Sequence, residues 1–204
     1  VHYDSGGQVT EYSKLSDFYY IKENALDKEF CEQCITKFKK DPNKVQGKTG
    51  GGVIPEIKQS RDINISEFDH WKEEDSVFFA SLNTAIAEYR KLHINKLLWL
   101  NIQDYKDYGY QIQETLPGGF YKWHHDFYSR GTESRFLTYL WYLNDIDEGG
   151  HTEFIDGTMI KPETGKLILF PAAWPFYHQG TPPVKEKKYI CTGWIYIESS
   201  FINS

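Results

Sequence analysis

Tyr121-Lys122-Trp123-His124-His125-Asp126 carries metal-binding residue types at a spacing that suits a strand. His124 and Asp126 stand one residue apart, so on extended backbone both side chains leave one face and His125 leaves the other. An imidazole and a carboxylate, met by a second imidazole from a distant strand, form a two-histidine, one-carboxylate face. Such a face holds Fe(II) and leaves three positions for a co-substrate and dioxygen. Of the five other histidines, His178 is the expected third ligand: it follows the turn-rich Phe170-Pro171-Ala172-Ala173-Trp174-Pro175 and enters a strand near the closing end of the β region. His151 is the rival, 25 positions after Asp126 but close to the Gly149-Gly150 turn and poorly placed to reach across two sheets. His2, His70, His93, His125 and His151 are read as hydrogen-bonded structural residues.

2-Oxoglutarate fills two of the open positions through its keto oxygen and adjacent carboxylate, which leaves one for dioxygen. Its far carboxylate then lies in the interior, where an unpaired negative charge is costly. A lysine on a cavity-lining strand answers that need, and Lys187 and Lys188 are both available, ten residues or so past His178. Strand alternation lets one of them point inward, and Lys188 shares its face with Thr192 and Trp194. Lys188 is the expected anchor, while Lys185, Glu186 and Lys187 read as a solvated charged run. Tyr142 is a candidate second donor to the same carboxylate, with a packed core aromatic as the competing reading.

The elements that must position these groups follow from the patterning. Residues 1–16 are polar and read as a peripheral arm. Phe18–Ile21 is expected to be a short strand, followed by a helix over about 27–40 capped by Asn24 or Asp27, with Phe30, Cys34, Ile35 and Phe38 on one face. Asp41-Pro42-Asn43 ends it. The Gly- and Lys-rich stretch Lys44 to Gly52 reads as a loop, either a surface connection or a flap over the substrate. Ile57–Ile65 looks extended, and a second helix over about 67–92 carries the stripe Phe68, Trp71, Phe78, Phe79, Leu82, Ile86 and Tyr89, which suits packing on a sheet. From 108 onward strands and turns alternate: Tyr110–Glu114, Phe120–Asp126, Arg135–Asn144, His151–Ile155, Lys166–Phe170 and Lys188–Ile197, with turns at Pro117-Gly118-Gly119 and Glu148-Gly149-Gly150. The expected fold is mainly β, a double-stranded β-helix (jelly-roll) core with N-terminal helices braced on the outer face of one sheet. One domain over 1–204 is expected, with helical support and a substrate loop in 1–104 and the catalytic core in 105–197.

Composition narrows the function classes. Aromatic residues are 17% of the 204, which suits large rings packed on strands. A net charge of −6 argues against a nucleic-acid partner, although Lys44, Lys48 and Lys58 suggest a small local basic stripe. No apolar run approaches the ~20 residues of a membrane helix. The three cysteines cannot all pair within the chain; Cys31 and Cys34, one helical turn apart, read as buried thiols rather than a redox pair. Low cysteine usage and the absence of a signal-peptide pattern favour a reducing cytoplasm.

Taken together, Tyr-x-x-His-x-Asp at 121–126, Tyr-Leu-Asn-Asp-x-x-Glu-Gly-Gly-x-Thr-x-Phe at 142–154, Gly-Lys-Leu-Ile-Leu-Phe-Pro at 165–171, His178, and Lys188 followed by Trp194 resemble the prolyl 4-hydroxylase-like 2-oxoglutarate/Fe(II) dioxygenases, in their bacterial and phage-type forms. The resemblance covers roughly residues 105–197. It implies Fe(II) at His124, Asp126 and His178, 2-oxoglutarate at Lys188 with Thr192 and Tyr142 beside it, and substrate contacts from Arg135 and Trp194. It departs at Thr115-Leu116, where many relatives carry a co-substrate-binding tyrosine; Thr115 or Tyr121 is the expected substitute. The implied reaction is hydroxylation of a protein prolyl residue at C4, with succinate and carbon dioxide as co-products and ascorbate as an accessory reductant. A translation protein such as elongation factor Tu is the implied kind of target. Hydroxylation of a free amino acid or other small molecule is the alternative. A non-catalytic metal-binding module is a third reading, against which the co-substrate lysine counts.

Overall fold

The computed structural model describes residues 14–93 and 105–198, together with the strands at 2–3 and 9–11. In chain order the elements are strands β1 (His2–Tyr3), β2 (Val9–Glu11) and β3 (Tyr20–Lys22), helix α1 (Lys28–Lys40), strands β4 (Val45–Gln46) and β5 (Arg61–Asn64), and helix α2 (Lys72–His93). There follow β6 (Tyr105–Asp107), β7 (Gln111–Thr115), β8 (Tyr121–His124), β9 (Ser129–Arg130), β10 (Glu133–Tyr142), β11 (Thr152–Phe154), β12 (Met159–Ile160), β13 (Leu167–Pro171), β14 (His178–Gly180) and β15 (Lys188–Glu198). A nine-stranded sheet runs β3-β13-β10-β15-β7-β5-β4, with β6 on β15 and β9 on β10, and faces a four-stranded sheet β12-β11-β14-β8. This is the expected jelly roll. Among the described residues no helix is long and apolar enough to cross a membrane.

Alternation along the large sheet divides its residues between two environments. On β10, Leu137, Tyr139 and Trp141 face outward into a core with the helices, while Leu140 and Tyr142 face the second sheet. On β15, Tyr189, Cys191 and Ile195 join the outer core, and Lys188, Thr192 and Trp194 line the interior. Phe38 of α1 meets Tyr189, and Phe78 of α2 meets Trp141, whose indole N–H donates to Ser81 at 3.1 Å. Gly193 makes room for the Tyr139 hydroxyl, which a Cβ there would strike; that hydroxyl donates to the Gly109 carbonyl at 3.0 Å. The helices thus hold the back of the sheet rigid and leave its front to the site.

Both helices are placed by ordinary end chemistry. Asp27 precedes α1 in extended conformation, Glu29 lies in its first turn, and Lys37, Lys39 and Lys40 lie in its last, matching the helix dipole. Lys44 does not contribute to a basic stripe: its ammonium caps α1, donating to the carbonyls of Phe38 at 2.9 Å and Lys39 at 3.2 Å. Lys58 is also withdrawn, in a buried ion pair with Asp62 at 2.8 Å. α2 begins five residues later than the expected 67, because Ile65–Glu67 and Asp69–Trp71 form short 3-10 turns pinned by the Trp71 indole on Asp41 at 2.7 Å. The strand expected from Phe18, β3, also begins later, at Tyr20, after a 3-10 turn at Leu15–Phe18. Within the expected irregular arm, β1 and β2 pair antiparallel; residues 1, 4–8 and 12–13 lie outside the described residues.

Candidate active site

β8 and β14 pair with His124 opposite His178, so the local pair on one strand and the distant imidazole meet across a single register position. Asp126 lies just past the end of β8. His124 Nε2 is 3.6 Å from Asp126 Oδ1, and His178 Nε2 is 3.6 Å from Oδ2. Ligand atoms of all three lie within 4.8 Å of one another.

The surroundings of the cluster fit Fe(II). His124 Nδ1 lies 2.7 Å from the Lys122 carbonyl and His178 Nδ1 lies 3.0 Å from the Phe176 carbonyl, so each Nδ1–H donates outward and each Nε2 lone pair faces the cluster. Burial, with His178 beside it, holds His124 well below the usual imidazole range, hence neutral. Burial pushes the Asp126 carboxyl up, but His178, His124 and the Thr138 hydroxyl outweigh it and keep the group ionised. Thr138 donates to Asp126 Oδ2 at 2.8 Å. Two imidazoles that present Nε2 and one ionised carboxylate are the donor set such an ion takes.

Beside the cluster is a cavity of about 550 Å³ between the sheets. Lys188 lines it, buried, its ammonium donating to the Gly150 carbonyl at 3.0 Å. Gly149 and Gly150, both at positive φ, make the turn that presents that carbonyl. Among the described residues Lys188 has no carboxylate partner within ion-pair range, and burial pulls its pKa down to about 8. A buried cation short of a counter-ion, in the cavity that also contains the metal cluster, is a seat for an anion. His151 is absent from both the cluster and the cavity lining.

The other expected residues divide. Thr115 lies opposite Lys188 in register and lines the cavity. Tyr121 lines it too, stacked on the His124 ring with centroids 3.6 Å apart. Thr192 lines it, but its hydroxyl donates to the Tyr139 carbonyl at 2.8 Å. Arg135 and Trp194 lie together on the wall, the guanidinium 3.5 Å from the ring centroid, and Arg135 Nε donates to the Tyr196 hydroxyl at 2.9 Å. Tyr142 is fully buried, packed with Phe154 and Phe170, and its hydroxyl donates at 2.5 Å to Oγ1 of Thr152, which lines the cavity.

Several lining residues were not expected from the sequence. Thr138, a hydroxyl among apolar neighbours on β10, is one; its inward parity was the available signal. Asn64, Gln111 and Gln113 form an amide row in which Gln113 Nε2 donates to Gln111 and Gln111 Nε2 to Asn64, at 2.5 and 2.7 Å. Lys48, Thr49 and Gly50 reach the cavity rim, and Gly47 is packed against Ser60 and the Lys58–Asp62 pair. His125, expected to be structural, is exposed at the rim, near the Tyr177 ring.

A sequence model of the 2OG-Fe(II) oxygenase superfamily matches residues 110–196. A protein of Arabidopsis thaliana named "Probable prolyl 4-hydroxylase 3" is 23% identical over 224 aligned residues, covering 94% of this chain and 74% of its own. Among solved structures, the viral collagen prolyl hydroxylase of Paramecium Bursaria Chlorella virus-1 with 2OG bound superposes with a TM-score of 0.66 at 23% identity, over 88% of this chain and 96% of that one. A Trichoplax adhaerens prolyl hydroxylase in complex with a hypoxia inducible factor peptide fragment reaches 0.68 at 17% identity, over 93% and 88%. The ligand cluster and Lys188 lie on strands inside the matched segment, so residues 110–196 are similar in sequence to the 2OG-Fe(II) oxygenases, and the chain shares the fold of the solved prolyl hydroxylases.

Proposed function

We propose that this protein hydroxylates a prolyl residue of a protein substrate at C4, consuming dioxygen and 2-oxoglutarate and releasing succinate and carbon dioxide. The observation that carries the reading is the His124–Asp126–His178 cluster sharing a cavity with a buried lysine that lacks a carboxylate partner. His124, Asp126 and His178 would hold Fe(II), and Lys188 would pair with the far carboxylate of 2-oxoglutarate, with Thr115 beside it. When bound, iron and 2-oxoglutarate together supply the oxidising power: one oxygen atom of dioxygen enters succinate and the other becomes the hydroxyl on the substrate carbon. The chain's part is placement and exclusion of water. Tyr121, a neutral phenol against His124, and the Arg135–Trp194 pair form the wall a substrate residue would meet.

A protein substrate is favoured over a free amino acid by the rim. Phe127 and Tyr128 are half exposed there, Lys48 and Gly50 stand across from the metal-binding strand, and the amide row offers donors and acceptors to a peptide backbone. The relatives named for prolyl hydroxylation support the choice of proline. Within that class, a cytoplasmic translation factor such as elongation factor Tu is the first target to try. The test is succinate formation with Fe(II), with and without proline-containing peptides, together with a gain of one oxygen on proline by mass spectrometry. Iron binding without turnover on any peptide or amino acid would return the chain to the non-catalytic reading; turnover on free proline alone would favour the small-molecule one.

A further inference from the structure

Lys188 is the first residue of β15, and Lys185 and Glu186 just before it belong to a connection outside any strand. A strand end is where pairing frays, and a buried ammonium adds a cost that is relieved when the lysine backs out toward water. On one side the β7 ladder reaches this end of β15, pairing Lys188 with Thr115 and Tyr189 with Glu114; the other side needs a support of its own. β10 does not supply it with its own ladder: its last partner on β15 is Ile190, opposite Tyr142, and Leu143 adds a single bond to the Tyr189 carbonyl at 2.9 Å.

From these contacts we infer that Asn144 and Glu114 are positioning residues for the co-substrate lysine, fixing its two chain neighbours from opposite sides. Asn144 replaces the missing ladder. Its side-chain carbonyl accepts from the Tyr189 N–H at 2.8 Å and its amide donates to the Lys187 carbonyl at 2.9 Å, so one planar group holds the backbone on both sides of Lys188. Glu114, opposite Tyr189 on β7, holds the two side chains. Its Oε1 accepts from the Tyr189 hydroxyl at 2.7 Å and from Lys187 Nζ at 3.2 Å, and its Oε2 accepts from Arg61 Nε at 2.7 Å. Burial pushes this carboxyl up, but the Tyr189, Arg61 and Lys187 donors keep it ionised. Because Lys187 and Tyr189 are both fixed on the outer face, alternation leaves Lys188 one direction, inward. The inference rests on Lys188 as the partner of the 2-oxoglutarate carboxylate, and neither Asn144 nor Glu114 lines the cavity.

The test is calorimetric titration of 2-oxoglutarate into the full chain loaded with Mn(II), which binds without turnover. Asn144→Ala and Glu114→Gln should each weaken 2-oxoglutarate binding about tenfold or more, the scale of a displaced anchoring group. Mn(II) affinity should stay within about twofold, since its ligands lie on and beside β8 and β14, strands of the other sheet. In turnover, the KM for 2-oxoglutarate should rise while kcat at saturation holds. Phe78→Leu, in the outer core, controls for lost stability: at a matched fall in Tm it should bind 2-oxoglutarate normally. Should the variants not fold, amide exchange in the unaltered apoprotein decides, because the Tyr189 N–H should be as protected as that of Ile190. Wild-type 2-oxoglutarate affinity in both folded variants, or rapid Tyr189 exchange, overturns the proposal. Failure of the wild type to bind 2-oxoglutarate, or undiminished binding by Lys188→Met, would instead sink the reading of the site itself.

Discussion

Lys188 is at odds with its own environment, and the consequence can be measured. With its pKa pulled down to about 8, the folded apoprotein gives up a proton that the unfolded chain keeps until about pH 10.4. Between those values the unfolded state binds more protons, so apoprotein stability should rise with pH across that window; below pH 8 the full penalty applies. The penalty is on the order of 3 kcal/mol, and the bond to the Gly150 carbonyl offsets part of it. Lys188→Met should therefore raise the Tm of the apoprotein while abolishing 2-oxoglutarate binding, as thermal scans with and without the ligand would show. By the same linkage, 2-oxoglutarate affinity should fall above pH 8. Unchanged affinity at pH 9.5 would contradict the pairing. The metal ligands make a second residue-scale prediction: His178→Ala should lose Fe(II) while His151→Ala retains it. Thr138→Val, which removes a bond to Asp126, should weaken iron by about 10- to 100-fold in metal titrations.

At the scale of elements, much was legible because the two periods were clean. The helix α1, its breaker at Pro42, and the alternation on β7, β10 and β15 all follow from residue pattern, and alternation alone separates Lys188 from Lys187. What escaped the pattern has a physical reason in each case. Strands of two or three residues, such as β9, β12 and β14, are too short to show a period; β9 is held by the long β10, while β12 and β14 are defined only by their pairing with β11 and β8. Tyr142 shares inward parity with Leu140, but parity carries no depth, and only the structure shows its hydroxyl ending on Thr152 of the cavity wall. Thr138 and Asn144 look ordinary in sequence because their roles depend on what stands opposite. Gly193→Ala tests element fit directly. A Cβ there would meet the Tyr139 hydroxyl, so the expected loss is about 1–3 kcal/mol, read as a fall in Tm.

For the whole molecule, the division of labour between the two faces of the large sheet sets what mutation can do. The outer face is an aromatic core against α1 and α2, and damage there, away from Tyr189, should lower stability without altering ligand preference. On the inner face Phe154 and Phe170 pack against the His178 ring, and Phe170 forms part of the cavity wall, so an apolar cluster backs the metal-binding residues. Lys48 to Gly50 stand at the cavity rim, carried by a chain that Gly47 packs against Ser60 and the buried Lys58–Asp62 pair. A loop built this way contributes to a long substrate more than to a small one. Replacing residues 49–53 with a short Gly-Ser link, while keeping Gly47, should raise the KM for a proline-containing peptide about tenfold or more. The KM for 2-oxoglutarate and the iron affinity should hold, because the metal-binding residues and Lys188 are held by β8, β14 and β15 and not by the loop. Steady-state assays against a short and a long peptide would separate the two effects. Equal loss on both would mean the loop steadies the cavity rather than gripping the chain that enters it.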